Sequence, residues 1–329
     1  MYLGSREFAS RPFVDALNES GIPAELVVLS GGKIARLKKT LRSAAPIVIV
    51  DAPYLPSTAL ALMKRMGAFK GEYIIRLRGD VFTEMKSFKT PFLRRATDMS
   101  INSALSVLPV AKYLEDRLRE THPDASIHTI YNGVDTDLFS PKFSEKEKPS
   151  EIVIVTVMNF SIPRKLARMD QLPPIIDQLS KEYDVRFLVA GGGKHLNQIK
   201  ASFYKSDSVT FLGQLPRSGI VELLSSADIF LYPTSLDILP NAVLEASAME
   251  LPVVSTDVGG IPEIVADSET GFLVKDVQEC KSKLQMLIED EKLRCELGKS
   301  GRKRMLEKFS WSKTTERFVE YIKTIRGET

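Results

Sequence analysis

Short apolar runs rich in β-branched residues alternate with segments of helical periodicity along most of the chain. Predicted strands in the first half lie at 25–29, 47–50, 73–77, 105–110 and 127–131, with Met1–Gly4 as the stub of a first strand. Predicted helices fall between them, at 33–42, 57–69, 91–104 and 111–120. Alternation of this kind predicts a parallel sheet wrapped by helices.

Residues 141–150 interrupt the alternation and are rich in Lys, Glu, Pro and Ser, which is typical of a linker between domains. The pattern then restarts, with strands predicted at 152–157, 185–190, 209–212, 229–232 and 253–256 and helices at 171–183, 220–227 and 240–250. We therefore predict an α/β protein with two Rossmann-like, doubly wound domains, 1–145 and 146–308. The segment 309–329 has helical apolar spacing and is expected to pack back on the first domain.

Composition agrees with a folded two-domain protein and narrows the function classes. The 329 residues are 43% hydrophobic and 26% charged, and the net charge of +3 gives no reason to expect a nucleic-acid partner. The two cysteines, Cys280 and Cys295, lack the spacing of a metal site and favour a reducing, cytoplasmic setting. Both are predicted to lie on C-terminal helices. The sequence predicts neither a secretory signal nor a membrane-spanning segment.

The densest chemical signal lies where a predicted strand ends at Tyr232 and a helix begins near Pro240. That helix start is expected to leave unpaired backbone N–H groups around Asn241, Ala242 and Val243, a geometry suited to phosphate. Asp237 lies in the preceding loop, and Glu245 lies about one turn into the helix. Carboxylates accept two hydrogen bonds from a vicinal diol, so these acids are candidates for gripping sugar and ribose hydroxyls. An ordinary capped helix with a surface acid is the alternative.

Four motifs together resemble the GT-B glycosyltransferases of family 4 (group 1). They are the eight-residue gap from Asp237 to Glu245, the run Leu239–Ala246, the run Pro252–Glu263 and the run Tyr131–Phe139. The resemblance is specific from Tyr131 to Val274 and implies two domains facing across a cleft. It also implies a retaining transfer of sugar from a nucleotide-sugar donor to a glycan or lipid-linked acceptor, with no metal and no cofactor.

The resemblance assigns roles to individual residues. In the family an acidic pair contacts the donor, the first acid the sugar and the second the ribose; here Asp237 replaces the usual Glu and Glu245 keeps the second place. Asn159 stands where the family has an arginine on the pyrophosphate, and Lys165 keeps the second cation. Arg164 or Arg168 is a candidate for the missing charge.

Further donor and acceptor residues follow from the same likeness. The assigned donor set is Gly4, Asn159, Lys165, Gly191, Gly192, Leu215, Pro240, Asn241, Ala242, Val243 and Glu245. Asp80 ends a strand in the first domain and is expected to orient the acceptor hydroxyl, so the predicted catalytic set is Asp237, Lys165 and Asp80. A structural turn from Arg78 to Asp80 is the competing interpretation. The three histidines, His122, His128 and His195, have no partner spacing for catalysis.

Two other sequence features, a DxD-like motif and a set of basic residues, have structural explanations that compete with functional ones. Asp135-Thr136-Asp137 imitates a metal-binding DxD motif, but its Asn-Gly-Val-Asp setting predicts a turn instead. Basic residues of the first domain, at 33–42 and at Lys64, Arg65, Lys70, Arg94 and Arg95, form either a solvated helix surface or a peripheral contact with an anionic membrane. Two rival functions also remain, a GT-B nucleotide-sugar epimerase and a nucleotide-sugar-binding subunit without activity.

Overall fold

The computed structural model describes residues 5–27, 47–50, 55–79, 91–141, 151–204 and 208–327. The chain divides into two compact units. Unit 1 comprises Met1–Gly133 together with Trp311–Thr329, and unit 2 comprises Val134–Ser310. The first unit is therefore assembled from both the N-terminal and the C-terminal parts of the sequence.

The described residues of unit 1 form a four-stranded parallel sheet in the order β1-β2-β3-β4. The strands are β1 (Ala24–Val27), β2 (Ile47–Val50), β3 (Glu72–Leu77) and β4 (Ser106–Pro109). The helices described before the chain leaves unit 1 at Gly133 are α1 (Ser5–Glu19), α2 (Leu55–Arg65), α3 (Pro91–Ser103) and α4 (Lys112–Thr121). Strands β2 and β4 are buried along their whole length, as expected for parallel strands covered on both faces.

In unit 2, the part of the chain that the structure describes forms a six-stranded parallel sheet. Its strands are β5 (Ile152–Val157), β6 (Val185–Ala190), β7 (Val209–Gly213), β8 (Ile229–Tyr232), β9 (Val253–Thr256) and β10 (Gly271–Val274). Its helices are α5 (Pro163–Leu166), α6 (Pro173–Glu182), α7 (Leu196–Ser202), α8 (Arg217–Ser225), α9 (Asn241–Ala248), α10 (Ile261–Ile264), α11 (Val277–Glu289) and α12 (Glu291–Arg304). A 3-10 turn at Met169–Gln171 precedes α6, and a π-helical turn at Met305–Phe309 follows α12.

The strand order of this sheet, β10-β9-β8-β5-β6-β7, reverses at β5. The chain first builds outward through β6 and β7, and then crosses back to place β8 on the other side of β5. Ile154 and Val155 of β5 pair with Ile229 and Phe230 of β8 at this junction. Open α/β sheets bind ligands at the carboxyl ends of the strands where the order reverses. A ligand site is therefore expected at the carboxyl ends of β5 and β8.

The last helix, α13 (Trp311–Arg326), completes the core of unit 1. Phe318 and Ile322 of α13 are fully buried against Phe13 and Leu17 of α1. The Phe13 ring packs edge-on to those of Trp311 and Phe318, with centroids 5.6 Å and 5.0 Å away. Burial of aromatic side chains at this density makes the C-terminal segment integral to the first unit.

The structure confirms the predicted α/β class with two parallel sheets. Helix α1 was not predicted, and the segment predicted as a strand at 127–131 forms a single bridge, between Ile127 and Val107, instead. The predicted helix at 33–42, the strand stub Met1–Gly4 and linker residues 142–150 lie outside the described ranges. In the portion of the chain that is described, no helix is both long enough and apolar enough to cross a bilayer.

Candidate functional site

The carboxyl edge of the central strands in unit 2 gathers most of the predicted site residues. Gly191 follows β6 directly, Asn159 lies two residues beyond β5, and the loop after β8 holds Asp237. Because β6, β5 and β8 are neighbours in a parallel sheet, their carboxyl ends meet at one edge. Leu215 follows β7 at the same edge, half-buried beside Gly219 of α8. The reversal of strand order and the predicted residues therefore coincide.

Helix α9 begins at this edge with an open amino end. Pro240 precedes it in an extended conformation, and its start has no side-chain cap. Asn241 is exposed and Ala242 is half-buried, and neither N–H has a partner within the described ranges. The expectation that the Val243 N–H is also unpaired is wrong: it donates to the Pro240 carbonyl at 3.1 Å, because the first turn closes tightly. Two amides remain for an anion.

Glu245 lies on the same face of α9 as Asn241, four residues further along the helix. Its side chain is half-buried, and burial raises its pKa to about 7, while the nearby Arg217 guanidinium acts in the opposite direction. A carboxyl group with this pKa exchanges its proton near neutrality. It becomes a full acceptor of two hydrogen bonds once a ligand donates hydroxyl groups to it.

Arg217, the first residue of α8, was not predicted as a site residue. Its guanidinium carbon lies 5.1 Å from the centroid of the Phe139 ring, and Phe139 is fully buried. The same charge acts on Glu245. Phe139 closes the Tyr131–Phe139 motif, so this cluster joins two segments that carried the family resemblance. The available signal was its position two residues after Leu215.

Asp237 is buried and held from within the protein. One carboxylate oxygen, Oδ2, accepts a hydrogen bond from the Tyr232 hydroxyl at 2.8 Å, and Oδ1 accepts one from the Ile238 N–H at 2.9 Å. Its backbone carbonyl accepts a bond from the Gly260 N–H at 3.2 Å. The Asp237 carboxylate is consequently fixed in place before any ligand arrives.

The glycine turn after β6 is shaped by close packing on the loop after β5. Gly191 has φ of +141°, and a Cβ there would lie 1.8 Å from the Met158 carbonyl oxygen. Gly193 has φ of +147°, and a Cβ there would lie 2.3 Å from the carbonyl carbon of Phe160. Both positions therefore require glycine. Gly192 lies between them, beside the Gln214 side chain.

The predicted pyrophosphate cations have different settings. Lys165 lies in α5, and its side chain is outside the described part of the structure, as is that of Arg164. Asn159 is exposed, and its Oδ1 accepts a hydrogen bond from the Ser161 N–H at 2.8 Å, which shapes the loop after β5. Arg168 donates to the Lys275 carbonyl oxygen at 2.9 Å. Arg168 is thus engaged with the end of β10.

The remaining predictions concern residues that the structure does not describe or that have a structural setting. Gly4 and Asp80 lie outside the described residues. The motif Asp135-Thr136-Asp137 forms a turn in which Asp135 Oδ1 accepts a hydrogen bond from the Leu138 N–H. Each histidine has a structural setting: His122 bonds to Asp98 and Thr121, the His128 ring stacks on Tyr321, and His195 precedes α7. Burial lowers the pKa of His128.

Comparison with known families gives one match over most of unit 2. Residues 151–290 match the sequence profile of the family described as glycosyl transferases group 1. The chain is 29% identical over 238 residues to a sulfoquinovosyl transferase of Arabidopsis thaliana, covering 68% of this chain and 44% of that protein. It is 27% identical over 279 residues to an N-acetyl-alpha-D-glucosaminyl L-malate synthase of Bacillus anthracis, covering 80% and 70%.

Solved structures share the fold of the whole chain. A sucrose-phosphate synthase from Thermosynechococcus elongatus superposes with a TM-score of 0.78 at 17% identity, over 99% of this chain and 94% of that one. HepE from Anabaena, in complex with UDP and glucose, gives a TM-score of 0.76 at 17% identity, over 98% and 96%. The profile match confirms the predicted resemblance to the group 1 glycosyltransferases. The solved structures confirm the predicted fold.

Proposed function

We propose that this chain, whose residues 151–290 match the profile of the glycosyl transferases group 1, transfers a sugar from a nucleotide-sugar donor to a glycan or lipid-linked acceptor. One observation supports this function above the others. The uncapped start of α9, with Asn241 and Ala242 at its tip, lies at the switch-point edge of the sheet and is followed by Glu245 on the same face. An anion-binding end beside a diol-binding acid suits a nucleoside diphosphate.

In the proposed complex the donor diphosphate lies at the start of α9. The two free amides and the positive end of the helix dipole attract phosphate oxygens. Glu245 accepts hydrogen bonds from the ribose hydroxyls, one helical turn further along. Asp237, in the loop between β8 and α9, faces hydroxyl groups of the transferred sugar. The backbone after Gln214, at Leu215, borders the base, as the resemblance implies.

The proposed reaction proceeds on one face of the sugar and keeps the anomeric configuration. The bond from the anomeric carbon to the diphosphate oxygen breaks, and a bond from that carbon to the acceptor oxygen forms. The acceptor's proton passes to the departing diphosphate oxygen, with Asp80 orienting the acceptor hydroxyl. Lys165 and the α9 amides stabilise the charge that develops on the leaving group. We propose that no metal and no cofactor takes part.

A thermal stability screen tests donor binding. The full chain is heated with UDP-glucose, GDP-mannose or ADP-glucose, and a ligand that binds the folded state raises the midpoint of unfolding. Glu245→Ala is expected to lose the shift produced by the best donor. Glu222→Ala, an exposed acid on α8, is the matched control and is expected to keep it. A full shift with Glu245→Ala contradicts the proposed site.

Product analysis tests the reaction. Proton NMR of the product, with the donor identified above and an acceptor found by screening, is expected to show the anomeric configuration of the donor. Turnover is expected to persist in the presence of a chelator. An altered sugar without transfer to an acceptor favours the epimerase, and donor binding without release of sugar favours the inactive binding subunit.

We also propose cytoplasmic action with peripheral contact to an anionic membrane. At the start of α3, the apolar side chain of Phe92 is 73% exposed, and the exposed Arg94 and Arg95 follow it. At the end of α2, Met66 is 71% exposed beside Arg65. Apolar tips among arginines suit the interface of an anionic bilayer. The free cysteines Cys280 and Cys295 support a reducing compartment.

Sedimentation with vesicles tests this contact. We expect the chain to pellet with vesicles that contain phosphatidylglycerol and to remain in solution with pure phosphatidylcholine. Phe92→Ala combined with Arg95→Ala is expected to weaken the anionic binding, whereas Tyr204→Ala, which removes an exposed aromatic ring from unit 2, leaves it unchanged. Equal pelleting of all variants contradicts the assignment of this surface.

A further inference from the structure

Tyr232 ends strand β8 with its side chain directed into the core rather than into solvent. It is 4% exposed, and its ring stacks against that of Phe230 on the same side of the strand, with centroids 6.2 Å apart. The Ser255 hydroxyl donates to the Tyr232 carbonyl oxygen at 2.9 Å, which ties the backbone to β9. Both the ring and the backbone of Tyr232 are therefore held by the sheet.

The Tyr232 hydroxyl donates to Oδ2 of Asp237, five positions further along the chain, at 2.8 Å. A buried hydroxyl needs a partner, and a charged acceptor makes the bond stronger than a neutral one does. Burial, followed by the charge of Asp237, raises the pKa of Tyr232 well above its ordinary value. The hydroxyl thus keeps its proton and acts as a permanent donor.

We infer that Tyr232 is a positioning residue that holds the Asp237 carboxylate for the donor sugar. The inference rests on the proposed function, because it takes Asp237 as the sugar-facing acid. An aspartate places its carboxylate one methylene nearer the backbone than a glutamate does. The sheet-anchored hydroxyl fixes the rotamer of this shorter acid, so that the sugar meets a preorganised acceptor.

Two parts of the donor are expected to contact different elements of the protein. The diphosphate and ribose are assigned to α9, whereas the sugar is assigned to the Tyr232–Asp237 pair. Removing the Tyr232 hydroxyl should then weaken binding of the sugar and leave the binding of the nucleoside diphosphate unchanged. General damage to the fold weakens both ligands, which gives a means of telling the two effects apart.

Calorimetry on the full chain makes this comparison. The ligands are the nucleotide-sugar that stabilises the wild type best, among UDP-glucose, GDP-mannose and ADP-glucose, and the matching nucleoside diphosphate. Tyr232→Phe keeps the ring that fills the core, and it is expected to raise the dissociation constant of the nucleotide-sugar about tenfold, as loss of a hydrogen bond to a charged group does. The dissociation constant of the nucleoside diphosphate should not change.

A double-mutant cycle identifies the route of the effect. Asp237→Asn, with Tyr232 intact, is expected to give the same sugar-specific loss, and Tyr232→Phe should add nothing to it if the hydroxyl acts through Asp237. Tyr73→Phe removes a buried hydroxyl in unit 1, which bonds to the Ser100 carbonyl oxygen at 2.8 Å, and should leave both constants unchanged. Thermal unfolding confirms that each variant folds.

The outcomes are distinguishable from failure of the proposed function. If the wild type binds none of the nucleotide-sugars, the transferase proposal fails and this inference falls with it. If the wild type binds a donor and Glu245→Ala abolishes binding, but Tyr232→Phe changes neither constant or both equally, only the inference is overturned. Additive losses in the double variant overturn it as well.

Discussion

A Cβ atom at Gly259 would lie 1.8 Å from the backbone carbonyl oxygen of Asp237. Gly259 also has φ of +61°, in the left-handed region that side chains rarely adopt. The turn after β9 therefore presses against the peptide that carries the sugar-facing acid of the proposed site. Both the backbone conformation and the contact distance require glycine.

We predict that Gly259→Ala destabilises the protein far more than Gly213→Ala does. Gly213 is also left-handed, with φ of +70°, but an added Cβ there meets nothing within 4 Å. The strained conformation alone costs about 1–2 kcal/mol, and the overlap at Gly259 should bring the total above about 3 kcal/mol. Chemical denaturation measures both free energies of unfolding. Equal losses at the two positions contradict the close approach.

The raised pKa of Glu245 predicts opposite pH effects on stability and on donor binding. The folded protein favours the protonated acid, with a pKa of about 7 against an ordinary value of 4.5. Its contribution to stability is present below about pH 4.5 and disappears as the pH rises through about 7. Ribose hydroxyls prefer the carboxylate, so affinity for a nucleotide-sugar should rise over that interval.

Glu245→Gln serves as the reference for this prediction because glutamine has nearly the same shape and does not titrate. The midpoint of unfolding of the wild type, compared with that of the variant, should fall as the pH is raised from 5 to 8, a range chosen to span the pKa of about 7. Calorimetric affinity for the nucleotide-sugar should increase in the wild type alone. Parallel pH profiles for the two proteins would exclude this titration.

Lys165→Ala is predicted to slow turnover by on the order of 10²-fold, because the proposed function assigns the charge of Lys165 to the departing diphosphate. Lys181→Ala, which removes an exposed lysine from the last turn of α6, is the control and should leave turnover unchanged. Steady-state kinetics at saturating donor measure the effect. Wild-type turnover in Lys165→Ala would assign the leaving-group charge to another residue.

Arg302 of α12 holds the C-terminal end of α9 by hydrogen bonds. Its guanidinium donates to the Ala248 carbonyl at the end of α9, to the Phe139 carbonyl at 3.1 Å and to the Ser140 hydroxyl at 3.2 Å. Arg302→Met keeps the length of the side chain and leaves these acceptors without the guanidinium. We predict a loss of about 2–4 kcal/mol.

Lys303→Ala, at an exposed neighbouring position, is the matched control for Arg302→Met and should remain near wild-type stability. Urea denaturation followed by circular dichroism measures the two free energies of unfolding. A loss of similar size in both variants contradicts the assignment of the carbonyl contacts to Arg302.

Strands and helix starts could be located from the sequence where local chemistry determines the structure. Parallel strands covered on both faces are mostly apolar and rich in β-branched residues, so β2, β5, β6, β8 and β9 were located to the residue. The start of α9 was placed within one residue by the turn chemistry around Pro240. The meeting of the motifs after β5, β6 and β8 followed from the order of residues along the chain, because parallel strands bring their carboxyl ends to one edge.

Features that depend on distant contacts were not predictable from local pattern. The effect of Arg217 on Glu245 joins the starts of two helices that no periodicity relates. The bond from Tyr232 to Asp237 depends on how the loop after β8 folds back. Helix α1 was missed because its Pro12 and its polar residues obscure an apolar face formed by Phe13 and Leu17.

The two ends of unit 2 are hydrogen-bonded to each other, with the Val134 N–H donating to the Phe309 carbonyl at 2.7 Å and a bridge between Val134 and Ser310. Entry and exit of the chain therefore coincide, and unit 2 has the topology of a cassette inserted into the sequence of unit 1. Exchange of residues 134–310 between relatives would preserve both cut points, so unit 2 can be replaced or can diverge separately from unit 1.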